Sequence, residues 1–282
     1  MARKRANLTD LLNDLTFKVI FDKYKLIALN AFEWDGLPSG IQERHIEREL
    51  FSKGFTAFFR DPSMSYMSLP CTSTGTVNPY GDPLKYTVRG FNYQKTFKAK
   101  NLVIIENNKL RLPTEQFLMF YVNKLTEAER TMDVNVKANK TPVIVVCSDR
   151  DVLSFKRIFQ QVDGNAPAIF ADNSLKVDQM QALDLKAKFL GNELMNYKKS
   201  VENELLTFLG ENNLPVEKKE RLITDEANSN NQLIESFFDL GLEARQRAVE
   251  EINKMYGLKI TVKRRQRVEN PVETVESEGA EE

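Results

Sequence analysis

Histidine is almost missing from this chain, with His45 the only one in 282 residues. One imidazole supports neither a His-rich metal centre nor a histidine-pair mechanism. Its charged neighbours Glu43, Arg44, Glu47 and Arg48 mark it as a surface residue. There are two cysteines, Cys71 and Cys147, and their separation fits no metal or redox spacing, which points to a reducing cytoplasm. No apolar run approaches the roughly 20 residues of a membrane-spanning helix. The opening MARKRANLTD lacks the apolar stretch of a secretory signal, so the chain is expected to be soluble and intracellular. An excess of either charge is also missing: 40 basic and 40 acidic side chains cancel. No global field recruits nucleic acid, and electrostatic recognition has to come from local patches or rings.

Catalytic motifs are scarce as well. No Gly-x-x-x-x-Gly-Lys-[Ser/Thr] phosphate loop and no Gly-x-Ser-x-Gly elbow occurs. Asp149, Asp151, Asp163 and Asp172 could in principle gather around Mg²⁺ as in a nuclease, but they lie beside turns, where Asp is common for structural reasons. The sequence therefore predicts no catalytic residue, no metal and no cofactor.

What is present is a set of long amphipathic helices separated by small β-rich segments. Residues 1–7 form a basic arm with Arg3, Lys4 and Arg5. Residues 8–53 open with a helix of about 27 residues, about 40 Å long. Leu8, Leu12, Leu15 and Val19 recur at helical spacing, then Ile20, Tyr24, Ile27, Ala31 and Trp34. Gly36, Pro38 and Gly40 end it, and a shorter helical patch follows around Ile46–Phe51. From 54 to 112, aromatic and β-branched runs broken by Pro, Gly and Asn predict several short strands, the last a hairpin turning at Asn107-Asn108. The aromatics there suit a core better than a platform for bases.

Residues 113–141 form a second long helix with Leu118, Val122, Leu125, Met132 and Val136 on one face. Residues 142–182 form a β-α-β unit with strands at 143–146 and 168–170, and 183–210 a third helix starting near Asp184 and stopped by Gly210. A polar stretch, LPVEKKERLITDEANSNNQLIES, lies within 211–245, and its Asn228–Asn231 run has poor helix propensity. Residues 246–265 carry the end of an amphipathic helix, Glu243–Tyr256, and a strand from Leu258. The acidic tail 266–282 is too poor in apolar residues to fold alone. The fold class is α+β, mainly long helices. Apolar stripes on elongated helices need partners, and neighbouring copies in a closed ring can supply them. A ring turns one lysine per chain into a belt that meets phosphates without reading bases.

Several segments carry a family resemblance. They include MARKR at the start, Phe59-Arg60-Asp61-Pro62 with Ser65-Tyr66, and Lys140-Thr141-Pro142-Val143. Further on come Gly164-Asn165-Ala166-Pro167-Ala168-Ile169-Phe170-Ala171, Thr207-Phe208-Leu209-Gly210 and Glu217-Lys218-Lys219-Glu220-Arg221. Thr224-Asp225-Glu226, Ile234-Glu235-Ser236 and Tyr256-Gly257-Leu258 complete the series in order. The chain resembles the upper collar proteins, also called connectors or portals, of small podophages related to the Bacillus phages of the Salas group.

The resemblance implies a homododecameric ring at one capsid vertex of the virion, assembled in the host cytoplasm. Double-stranded DNA would pass through it during packaging and ejection, driven by a separate ATPase, and the tail would attach there. Capsid, scaffolding and lower collar proteins would be further partners. It also implies a small β-barrel-like, SH3-like wing at 54–112, stem helices at 113–141 and 183–210, and a clip at 142–182. The stretch 211–245 would be a channel-facing helix and loop, with the mobile loop around Glu235–Ala244. Lys218 matches a channel-lining lysine and Lys219 adjoins it, offset by Glu217 and Glu220. Glu243 stands where the family's loop carries a lysine. Arg3, Lys4 and Arg5 match an N-terminus that contacts packaging RNA. A ring-forming head–tail adaptor and a Mg²⁺-dependent nuclease are the alternative readings.

Overall fold

The computed structural model of the chain describes residues 8–139, 143–145, 180–182, 188–213 and 224–266. They fall into two compact units, one of Met1–Thr16 with Lys124–Val201 and one of Phe17–Asn123 with Glu202–Glu282.

The periodicity of α1 (Leu8–Leu29), which runs from the first unit into the second, lasts only as far as Leu29. The amide of Asn30 donates back to the Leu26 and Ile27 carbonyls, both at 3.2 Å. Past that end the pattern changes to period two. Phe32 and Trp34 are buried on alternate positions of β1 (Phe32–Asp35), which pairs antiparallel with β10 (Thr261–Arg264). Trp34 is thus on a strand, and the expected helix through it is corrected. The alternation Phe-Glu-Trp-Asp overrides the helical spacing that Ala31 and Trp34 share with Ile27.

Next comes α2 (Glu43–Lys53), whose Gln42 amide donates to His45 Nδ1 at 3.4 Å. The lone histidine is a half-buried partner in a helix cap. At the other end Gly54 is left-handed, φ +82°, and its amide closes on the Leu50 carbonyl. The chain can then reverse directly into β2 (Phe55–Asp61).

Two three-stranded antiparallel sheets follow, in the orders β3-β2-β7 and β4-β5-β6. Their strands are β3 (Ser65–Leu69), β4 (Cys71–Ser73), β5 (Lys85–Gly90), β6 (Tyr93–Lys98) and β7 (Val103–Glu106). The central strand β2 is buried on both faces. Phe58 joins the larger core with Ile46, Leu50, Ile105, Ile252 and Ile260. Ala57 and Phe59, one step out of phase, join a second core with Cys71, Tyr86, Val88 and Leu102. The strand aromatics Phe58 and Phe59 therefore belong to the core, as expected.

The hairpin expected at 102–112 does not form. β7 pairs with β2 instead, Phe55 opposite Glu106 through Phe58 opposite Val103. Beyond it, side chains satisfy the backbone. Asn108 Oδ1 accepts from the amides of Leu110 (3.1 Å) and Leu112 (3.0 Å). Asn107 Nδ2 donates to the Leu112 carbonyl and to Thr114 Oγ1, each at 2.9 Å. These local bonds replace a ladder and lead into α3 (Thr114–Asn139).

α4 (Gly191–Phe208) ends in a Schellman arrangement, with the Glu211 amide on Leu206 at 2.8 Å and that of Gly210 on Thr207 at 3.0 Å. The expected stop at Gly210 is present. α5 (Thr224–Tyr256) is one helix of 33 residues. It runs through Glu235–Ala244, so the loop expected there is corrected. Asn230, in the run expected to break the helix, is helical and donates its side-chain amide to Asn213 Oδ1 at 2.8 Å.

In the first unit, α4 begins at Gly191, and the start expected near Asp184 lies outside the described residues. Asn135 on α3 donates to the Lys188 carbonyl and accepts from the Leu190 amide, which holds 188–190 outside the helix. Arg130 binds Asn13 Oδ1 at 2.7 Å and Asp133 at 2.8 Å. Two short strands, β8 (Val143–Val145) and β9 (Met180–Ala182), pair antiparallel. The expected helix of the β-α-β unit and its strand at 168–170 lie outside the described residues.

Candidate functional site

Helix α2 places Ile46 and Leu50 in the larger core, and Glu47 shares that inward face. A buried carboxylate needs full compensation, and α5 supplies it from 198 positions away. Arg245 Nε donates to Glu47 Oε1 at 2.8 Å and Nη2 to Oε2 at 2.6 Å, with both side chains 3% exposed. Trp34 Nε1 donates a third bond to Oε1 at 2.8 Å. The remaining guanidinium protons reach the Gly241 carbonyl at 3.0 Å and Asn107 Oδ1 at 3.2 Å. One charge pair thus joins β1, α2, α5 and the turn after β7.

An aromatic stack continues from it. The Arg245 guanidinium lies 3.8 Å from the Phe32 ring centre, and Phe32 stacks on Phe238 at 4.9 Å. Arg264 covers the far side of Phe238 at 4.2 Å. Close approach depends on Gly241, where a Cβ would stand 3.2 Å from the Phe32 ring edge.

Above this floor opens a cavity of about 320 Å³, with Phe32, Phe51, Phe117, Phe208, Phe237 and Leu240 among its lining. Its aromatic walls touch one another, Phe117 and Phe208 at 4.9 Å and Phe208 and Phe237 at 6.0 Å. The mouth carries the exposed Leu110 and an ion pair, Lys109 with Glu243, at 3.8 Å. A second, shallower space of about 950 Å³ has Lys263, Arg264 and Arg265 on its rim. Lys263 is paired with Glu33 and Asp35, and Arg265 with Glu43 at 2.6 Å, so most of that basic charge is compensated within the chain.

Among the described residues no group of three or more His, Cys, Asp or Glu could hold a metal ion. Burial pushes the Cys71 thiol up to about 12, which leaves it protonated and unreactive at neutral pH. Among the described residues no helix is long and apolar enough to cross a membrane.

Arg3, Lys4, Arg5, Lys218 and Lys219 lie outside the described residues, as do Asp149, Asp151, Asp163 and Asp172. Glu243 is described; it is exposed on α5 beside Lys109. Sequence reasoning did not single out the Glu47–Arg245 pair or the cavity above it. The available signal was a glutamate at the inward spacing of α2, and nothing in the pattern named its partner.

The sequence matches the family described as Phage Connector (GP10) over residues 3–269. In the solved portal and tail of native bacteriophage P68, a chain of the same fold gives a TM-score of 0.51 at 15% identity. That match covers 98% of this chain and 97% of the other. An HK97-family phage portal protein from Corynebacterium diphtheriae is similar with a TM-score of 0.44 at 12% identity, covering 94% of this chain and 96% of that one.

Proposed function

Because the chain belongs to the phage connector family, we propose that it is the portal subunit of a phage virion, a structural protein and not an enzyme. Twelve copies would form the ring at one capsid vertex. The observation that carries this reading is a single family match running from residue 3 to residue 269, nearly the whole chain. The fold shared with a chain of the bacteriophage P68 portal and tail over 98% of this chain supports it.

In this reading double-stranded DNA passes through the centre during packaging and ejection, moved by a separate ATPase. Capsid and scaffolding proteins hold the ring's wide region, and lower collar and tail proteins attach to its outer end. The sheets between Gly54 and Leu112 would be the wing, of SH3-like type, 142–182 the clip, and α3 and α4 the stem. The segment 211–245, helical from Thr224 onward, would approach the channel. Lys218 and Lys219 from each copy would make a positive belt, tempered by Glu217 and Glu220. A sliding duplex needs weak, sequence-independent contacts of this kind, and they are salt-sensitive. Arg3, Lys4 and Arg5 are proposed to contact packaging RNA.

The test pairs assembly with passage. Lys218→Ala with Lys219→Ala is expected to leave rings intact by electron microscopy while changing DNA retention in packaging assays. Loss of rings with unchanged DNA binding would contradict the channel assignment.

A further inference from the structure

Among the described residues, two exposed apolar surfaces lie in the unit Phe17–Asn123 with Glu202–Glu282. One is concave, the aromatic cavity, with Leu240 49% exposed at its wall. The other lies on α1, where Val19 is 61% and Leu26 62% exposed, Leu26 at the edge of the shallower second space. At about 100° per residue, Lys18, Val19, Asp22 and Leu26 share one stripe of that helix. Tyr24 and Ala28 lie on the opposite stripe, and Ala28 lines the cavity. The helix therefore presents a ridge on one side and closes the cavity with the other. A single copy cannot bring the two together.

Charges on the two surfaces also correspond. Lys18 and Asp22 flank Val19 on the ridge, and neither has an ion-pair partner among the described residues. The cavity mouth offers Lys109 and Glu243, both mostly exposed and held to each other only at 3.8 Å. Asp22 against Lys109 and Lys18 against Glu243 make a complementary set in one orientation. A contact between two different surfaces of identical chains is heterologous and closes into a ring when its rotation permits.

We infer that the α1 ridge of Val19, Asp22 and Leu26 packs over the aromatic cavity of a neighbouring copy, with Asp22 facing that neighbour's Lys109. This rests on the ring reading above and names the two faces that meet. Filling an apolar cavity with aliphatic side chains removes exposed apolar area on both sides. The rim charges would fix register and orientation.

Cysteine cross-linking tests it. In a Cys147→Ser background, Val19→Cys and Leu240→Cys are made singly and together in the full chain. Under mild oxidation the double variant is expected to give a ladder of covalent oligomers. Each single variant is expected to remain monomeric on denaturing gels, because the two cysteines meet only across unlike faces. A dimer from either single variant would show a two-fold contact and overturn the inference. So would rings visible by microscopy in a double variant that gives no ladder, and in that case the ring reading itself would survive. Absence of rings in the unmodified protein would overturn both. As a second arm, Asp22→Lys and Lys109→Glu are each expected to shift ring assembly to higher protein concentration, and the double reversal to restore it. A double variant no better than the singles would rule out this pairing.

Discussion

Glu47 and Arg245 carry opposite charges into a core where each alone would be costly. Taking an ion pair out of water gains little overall, but breaking one from a single side leaves an uncompensated buried charge. Glu47→Leu or Arg245→Leu alone is therefore expected to destabilise the chain by about 3–5 kcal/mol. The double replacement should recover much of that loss, measured by chemical denaturation of all three variants. Asp61 makes a different prediction. It accepts from the Ser63 amide at 2.9 Å, from Lys95 at 3.0 Å and from Tyr93 at 2.9 Å. Those bonds, the Ser63 amide first, hold its carboxyl down at about 2. A carboxylate depressed by folding adds stability above its unfolded value, about 3.9. That contribution is lost as pH falls through the folded value. Acid titration of thermal stability should show extra loss between about pH 4 and pH 2, and Asp61→Asn should remove it. Neither role was legible in the sequence. Spacing shows which face a residue occupies, whereas Glu47 finds its partners, and Asp61 its Tyr93 and Lys95, on other elements.

At the scale of elements the sequence was most informative where one period dominates. The range of α3, the Gly210 stop of α4, the burial of Phe58 and Phe59 and the strand after Gly54 all follow from pattern and caps. Gly54 gives the clearest element-level test. Its φ is +82°, and an added Cβ would lie 2.0 Å from the Arg111 carbonyl oxygen. Gly54→Ala should therefore destabilise by more than the roughly 1 kcal/mol of left-handed strain alone. It should lower the thermal midpoint by several degrees. Where the reading missed, a second signal competed with the first. Phe32-Glu33-Trp34-Asp35 alternates like a strand while still carrying residues at helical spacing. Asn107 and Asn108 suggest a hairpin turn, yet their side chains bind backbone groups at 110 and 112 and the Thr114 hydroxyl. α5 remains helical through an Asn/Ser run because Phe238, Ala248 and Ile252 anchor the same helix in the core, and tertiary packing outweighs weak propensity.

For the whole molecule, the described parts of the helices leave apolar side chains uncovered. Val19 and Leu26 on α1 and Phe237 and Leu240 on α5 remain outside both cores. The sequence already pointed this way, since long apolar stripes need partners that neighbouring copies in a ring can supply. In the proposed ring the overall charge can cancel while one lysine per copy would still add up to a positive belt. Native mass spectrometry, with electron microscopy of the same sample, tests the central claim most directly. The account predicts one dominant species near twelve times the 32.4 kDa chain mass, seen as rings with a central hole. A protein that stays monomeric at micromolar concentration, or assembles without a hole, would contradict it.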